Sequence, residues 1–301
     1  MDAVTTILGS AVRQTAPLAF ATCGEYAAER SGTLNISIEA MMLGGAFFGV
    51  LGSSVTGSVA GGLVLGSLVG FLVAFIHAQL SHRLAANTFV VGLSLNALLL
   101  GLTSYLLETT DLDPEQAGVV TIPLLSEIPW IGEPLFKNRW PIYLLLVAIP
   151  LTKWLIDRTR WGLEVRSAGE DPQAADVTGI DVNKRRRQSL YYCGVLSGMG
   201  GAYLSVGEVG LFNNNMTAGA GFLVNAAVIF GAWRLGGALM GCVLFGTASS
   251  IQLALPALGH RVTPQLLIVL PYILALAAMV IFASRGRKPA ALARPFVRGL
   301  A

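Results

Sequence analysis

Charge is scarce in this chain. Only 12% of its 301 residues are Asp, Glu, Lys or Arg and 54% are hydrophobic, against about 25% charged in a soluble globular domain. That balance excludes an ordinary water-soluble fold, and no nucleic-acid partner is expected. Cysteine is nearly absent: Cys23, Cys193 and Cys242 lie in apolar stretches without pairing or metal-ligand spacing, so they read as small core residues. The histidines, His77, His82 and His260, are scattered, and no two have the helical spacing of metal ligands. No serine sits in a nucleophile elbow. The chain also lacks any Gly-Lys pair, and this disposes of Leu196-Ser197-Gly198-Met199-Gly200-Gly201, which looks like a transport-ATPase signature or a nucleotide turn. A phosphate loop needs Lys and Ser or Thr after its glycines, so the segment reads as helix packing. The expectation is a non-catalytic chain that binds no metal or cofactor of its own.

What is present in abundance is apolar sequence. A hydrocarbon core about 30 Å thick needs roughly 20 apolar residues per helix. Apolar runs fall near 4–24, 34–51, 55–80, 88–107, 141–156, 189–208, 218–233, 236–255 and 264–284. The expected fold is an all-α polytopic membrane protein of about nine transmembrane helices, with 1–301 as a single domain. The runs 141–156 and 218–233 are short, so either is a candidate for a tilted or re-entrant segment. The first run lacks the basic start of a secretory signal and reads as a helix that is not cleaved.

Basic residues set the orientation. Lys153, Arg158, Arg160, Arg166 and Lys184 to Arg187 cluster in one connection, and Arg285, Arg287, Lys288, Arg294 and Arg298 in the tail, so both face the cytoplasm. The connection from Glu108 to Trp140 carries Glu108, Asp111, Asp113, Glu115, Glu127 and Glu133 against Lys137 and Arg139, and belongs outside. Nine spans then put the N-terminus outside and leave Glu25, Glu29 and Arg30 on the cytoplasmic side. Within the outer connection, 122–125 and 128–132 are apolar enough to lie on the membrane surface. Glycines at four-residue spacing (Gly57 and Gly61; Gly62, Gly66 and Gly70; Gly194 and Gly198; Gly237 and Gly241) predict close helix contacts inside the bundle, or a dimer seam for one of them.

Polar groups within apolar runs point to function. Asn35, Ser37, Glu39, Asn96, Glu208, Asn225 and Gln252 lie in or at the edges of spans. An ionisable group there is a functional hypothesis by default, whereas Asn and Gln also serve simply to bond neighbouring helices. Residues 210–221 are too polar and glycine-rich for helix, yet apolar sequence follows. They predict either an ordinary outer loop or a broken helix whose N-terminus offers N–H groups to a ligand. In the inner connection, 157–188, Asp171 can cap and Pro172 start a short helix that Gly179 ends. Such a helix, held between two spans, is a lever for a soluble partner.

The run Glu29-Arg30-Ser31-Gly32 with Asn35 and Glu39, the segment from Gly169 to Ile180, and Asn215-Met216-Thr217-Ala218-Gly219 followed by Gly221-Phe222 and Phe230-Gly231 together resemble the permease subunits of bacterial ABC importers. Within them the likeness is to the shorter permease of the nucleoside and simple-sugar branch, over about Pro17 to Ala283. The resemblance implies a pore subunit in the bacterial cytoplasmic membrane, paired with a related permease or a second copy. It implies a cytoplasmic ATPase that holds the ATP and Mg, and an extracytoplasmic substrate-binding lipoprotein that feeds the pore. The site it implies for ATPase coupling comprises Gly169, Glu170, Asp171, Pro172, Ala174, Ala175, Gly179 and Ile180. Asn35, Glu39, Asn96, Thr217 and Asn225 are the expected substrate path, bonding hydroxyls or a base. The alternative is a stand-alone ion-coupled transporter that uses Glu39 or Glu208 as a proton or cation site.

Overall fold

The computed structural model describes residues 3–123, 126–128, 132–257, 269, 271–277, 280 and 288–297. Helix α1 runs over Ala3–Arg30, and the chain then breaks before α2 (Ile38–Thr56), α3 (Val59–His82) and α4 (Thr88–Thr109). Asn87 starts α4 by accepting the Phe89 and Val90 N–H groups at 2.9 and 3.4 Å. The acidic connection forms a small antiparallel hairpin, β1 (Val119–Thr121) on β2 (Lys137–Arg139), with α5 (Gly132–Phe136) between its strands. A 3₁₀ turn at Trp140–Leu144 leads into α6 (Leu145–Arg158). There follow α7 (Arg160–Glu170), α8 (Pro172–Val177), α9 (Val182–Ala202) with a π-helical extension over Tyr203–Val209, α10 (Ala220–Phe230) and α11 (Leu235–Ala257). Residues 271–277 are also helical.

Several boundaries differ from expectation. The apolar run at 34–51 becomes helical only at Ile38, because the preceding residues spend their hydrogen bonds on other parts of the chain. The basic connection, 157–188, is mostly helix rather than loop, and Lys184 to Arg187 belong to the first turns of α9. Among the described residues five helices are long and apolar enough to cross a membrane: Ile38–Thr56, Val59–His82, Thr88–Thr109, Trp140–Arg158 and Leu235–Gln252. The expected interfacial segment falls partly outside the described residues, at 124–125 and 129–131, as do His260 and most of the run at 264–284.

At the centre, α9 lies against α1, α2 and α3. Its glycines set the spacing. A β-carbon on Gly198 would collide with the Gly66 carbonyl of α3, one on Gly194 with Gly70 and Ala74, and one on Gly201 with the Met42 carbonyl of α2. Gly24 of α1 stands equally close to Cys193. Apart from Gly57 at the α2–α3 turn, the glycine ridges seen in the sequence meet neighbouring segments of this same chain, since small residues let backbones approach where lipid offers no hydrophobic drive. Helix α2 is the most enclosed, with 78% of its apolar window buried. By contrast α3, α4 and α6 turn Val64, Leu68, Leu72, Val90, Leu98, Leu146 and Val147 outward. That is the solvent-facing pattern of a chain surrounded by lipid or other subunits.

Candidate functional site

The residues from Leu34 to Ile36 lie between the last turn of α1, whose carbonyls take the Ser31, Gly32 and Thr33 N–H groups, and the first turn of α2, and buried backbone groups outside a helix ladder must be paired by something else. Asn96 of α4 does part of this. Its side-chain oxygen accepts the Ala40 N–H at 2.9 Å and its amide donates to the Ile36 carbonyl at 3.0 Å. Asn225 of α10 donates to the Asn35 carbonyl at 3.2 Å. The Asn35 side chain accepts the Ser37 N–H at 3.2 Å and hydroxyl at 2.8 Å, and donates to Glu25 at 2.9 Å. His77 of α3 then joins Ser37 at 2.6 Å to Thr88 at 2.7 Å, so the break is tied to four other helices.

Glu39, in the first turn of α2, faces the other interrupted element. After the π-helical turn of Tyr203–Val209 the chain descends through 210–219 and starts α10 with its N-terminus inside the bundle. The Glu39 carboxylate accepts the Thr217 hydroxyl at 2.5 Å, the Gly219 N–H at 2.8 Å and the Gly221 N–H at 2.7 Å. These are the orphan donors that any helix start leaves exposed, and an anion there also meets the positive end of the helix dipole. Eleven residues make α10 about 16 Å long at the usual rise. That is roughly half of a hydrocarbon core about 30 Å thick. Its far end meets a cleft lined by Arg30, Lys153, Asp157 and Glu170, so the Glu39 contact lies about one short helix away from that cleft. Thr217 and Ala220 also line a cavity of about 230 Å³ with Gln14, Ser249 and Gln252.

The structure thus gathers all the expected path residues, Asn35, Glu39, Asn96, Thr217 and Asn225, around two facing breaks. The sequence leaves two readings open for residues 210–221, an outer loop or a broken helix; α10 starts at Ala220, and the Gly219 and Gly221 N–H groups at that start are held by this chain's own Glu39. Glu208, the other candidate ion site, pairs with Arg13 at 3.0 Å. Glu25 and Glu29, which the sequence reading did not place in the site, are both fully buried, Glu25 against Asn35 and Cys193 and Glu29 against the Trp233 indole. Their i, i+4 spacing on a helix of small residues was the available signal. Among the described residues no group of three or more His, Cys, Asp or Glu could hold a metal ion.

On the basic side, α8 forms as its caps dictate. Asp171 accepts the Ala174 N–H at 3.0 Å, Pro172 occupies the first turn, and Gly179 follows in the left-handed region at φ +89°. Glu170, Asp171, Ala174 and Gly179 are exposed, Pro172 and Ile180 are half-buried, and Ala175 is buried on Ala168 and Val182. Gly169 sits against the Arg30 carbonyl, next to the break. Arg186, one of the basic cluster, is buried, and burial pulls its guanidinium down to about 10, which leaves it charged at neutral pH.

The comparisons agree with this architecture. The chain is 32% identical to the guanosine ABC transporter permease protein NupQ of Bacillus subtilis, over 94% of each chain. It is 32% identical to the nucleoside ABC transporter permease protein NupC of Lactococcus lactis, over 91% of each. TsgC13 of Haloferax volcanii, an ABC permease with a provisional glucose assignment, is 31% identical over 86% of this chain and 80% of its own length. An ABC transporter solved in an inward-facing conformation shares the fold, with a TM-score of 0.52 at 15% identity over 93% of this chain and 85% of that one. The family described as branched-chain amino acid transport system / permease component matches residues 7–283. With its apolar helices, deep polar breaks and full-length relatives, the chain belongs to that permease family and is a multi-pass membrane subunit of an ABC transporter.

Proposed function

We propose that this permease carries nucleosides inward, as one pore subunit of an ABC importer. The observation that carries the reading is the pair of interrupted elements meeting at Glu39 and Thr217, a place where polar groups line a path through otherwise apolar helices. The nucleoside assignment draws on the names of NupQ and NupC. In this reading the chain crosses the bacterial cytoplasmic membrane nine times as one domain, with its N-terminus outside and its C-terminus inside. Asn35, Glu39, Asn96, Thr217 and Asn225 exchange their internal hydrogen bonds for those of the solute as access alternates. Sites that bond a base or hydroxyl reject analogues that leave buried polar groups unpaired. The segment Gly169 to Ile180 docks a cytoplasmic ATPase, which binds ATP and Mg. A second permease, related or identical, completes the pore, and an extracytoplasmic lipoprotein delivers solute.

The test is reconstitution in liposomes with an ABC ATPase, a partner permease and an extracytoplasmic binding protein. The expected result is ATP-dependent uptake of labelled guanosine or adenosine, competed by other nucleosides and not by ribose or glucose. Competition by glucose alone would move the assignment to sugars. Uptake by the isolated chain under an ion gradient would overturn the importer reading in favour of a secondary transporter.

A further inference from the structure

A buried arginine ordinarily meets a carboxylate, because an uncompensated charge in a low-dielectric interior is costly. Arg186 is 1% exposed and does something else. Its guanidinium donates to three backbone carbonyls, Ser31 at 3.1 Å, Arg294 at 2.7 Å and Ala168 at 3.4 Å. These belong to three separate stretches of chain: the start of the break before α2, the C-terminal tail, and the last turn of α7 just ahead of α8.

The same three stretches are stitched by main-chain bonds. The Ala291 N–H donates to the Gly169 carbonyl at 2.9 Å, and the Ala293 N–H to the Gly32 carbonyl at 3.0 Å. Gly32 is in the left-handed region at φ +88°, and a β-carbon there would lie 2.8 Å from an Arg186 nitrogen. Further along the tail, Asn183 donates to the Phe296 carbonyl at 3.3 Å, and the Phe296 ring lies on the Ala168, Ala175 and Val182 cluster under α8. Six residues are too few for α8 to be stable alone, so its position is set by what it is docked on.

We propose that Arg186 is a positioning residue that joins α8, the C-terminal tail and the Ser31–Gly32 turn into one body, so that a push on α8 reaches the Asn35–Glu39 segment. This rests on the importer reading above. A guanidinium suits the task because its rigid planar fork spreads donors over three nitrogens that reach three separate carbonyls, whereas an ammonium gathers its three donors on one nitrogen. Only three residues separate Ser31, which it holds, from Asn35, which bonds Asn225 and Glu25. The tail is the strap that closes the knot.

The experiment uses the whole importer in liposomes and compares wild type with Arg186→Lys and Ala291→Pro, the second removing a single strap N–H. Both variants are expected to co-purify with the ATPase and to hydrolyse ATP, while solute moved per ATP falls about tenfold in Arg186→Lys, within the range of ordinary coupling energies. Unchanged solute per ATP in an assembled variant overturns the proposal. Independently of either variant, spin labels at Val177 and Ala290, both exposed, are expected to keep one distance distribution in nucleotide-free and ATP-trapped complexes. A shift between those states means that tail and coupling helix are not one body, and sinks the idea. Absence of any ATP-driven uptake by wild type strikes the importer reading instead.

Discussion

Replacing Glu39 by Gln keeps size and one oxygen but turns the other acceptor into an amide donor. Glu39 accepts three hydrogen bonds and is 7% exposed. If the remaining oxygen keeps Thr217 and Gly219, the new NH₂ faces the Gly221 N–H, donor against donor. The lost charge-assisted bond is worth about 1.5–3 kcal/mol, and the stranded N–H adds about 1–3 kcal/mol. Loss of the anion at the helix start removes up to about 1 kcal/mol more. The sum is about 2.5–7 kcal/mol, concentrated on the docking of the α10 N-terminus rather than on the bundle, which the glycine seam of α9 holds independently. Three kcal/mol of local opening corresponds to amide exchange roughly a hundredfold faster. Hydrogen exchange read by mass spectrometry on the protein in nanodiscs should therefore show faster exchange confined to peptides covering Gly219 to Leu223, with α9 unchanged. Glu39→Asp, which keeps the charge but loses reach, should fall between. Exchange at 219–223 indistinguishable from wild type would refute the cap, and normal uptake by the same variant would remove Glu39 from the solute path.

Asn96→Leu strands the Ala40 N–H and Ile36 carbonyl and should cost about 2–4 kcal/mol, seen as a lower unfolding temperature in detergent; an unshifted midpoint would mean that water replaces the amide. Gly198→Val has no space against Gly66 and Gly70, so monodisperse protein should be lost on size-exclusion chromatography, whereas Gly101→Ala, in open space, should behave as wild type. Asp171→Ala removes the cap of α8 at a cost of about 1 kcal/mol, and ATPase co-purification should weaken while the membrane bundle melts unchanged; undiminished association, in this variant and with Glu170 also altered, counts against the docking assignment.

Composition and periodicity determined a helical membrane bundle, because the cost of unpaired backbone in lipid leaves helices as the solution for long apolar runs. They also located the start and stop of α8, since a capping Asp, a Pro in the first turn and a left-handed Gly act through their own neighbours in sequence. The polar residues Asn35, Glu39, Asn96 and Asn225 were visible as anomalies for the same reason, and Thr217 as part of a segment too polar and glycine-rich for helix. What they bond was not visible. Glu39 meets Thr217 and Gly221 across nearly 180 residues, and no local pattern encodes such a pairing. Glu25 and Glu29 entered the sequence reading only as charges on one side of the membrane, and Arg186 only as one member of a basic cluster, because charge in a sequence carries no record of depth. Only the packing of α9 against its neighbours, and of the tail across α8, decided that these charges lie inside, where each must be answered by a named carbonyl, amide or indole.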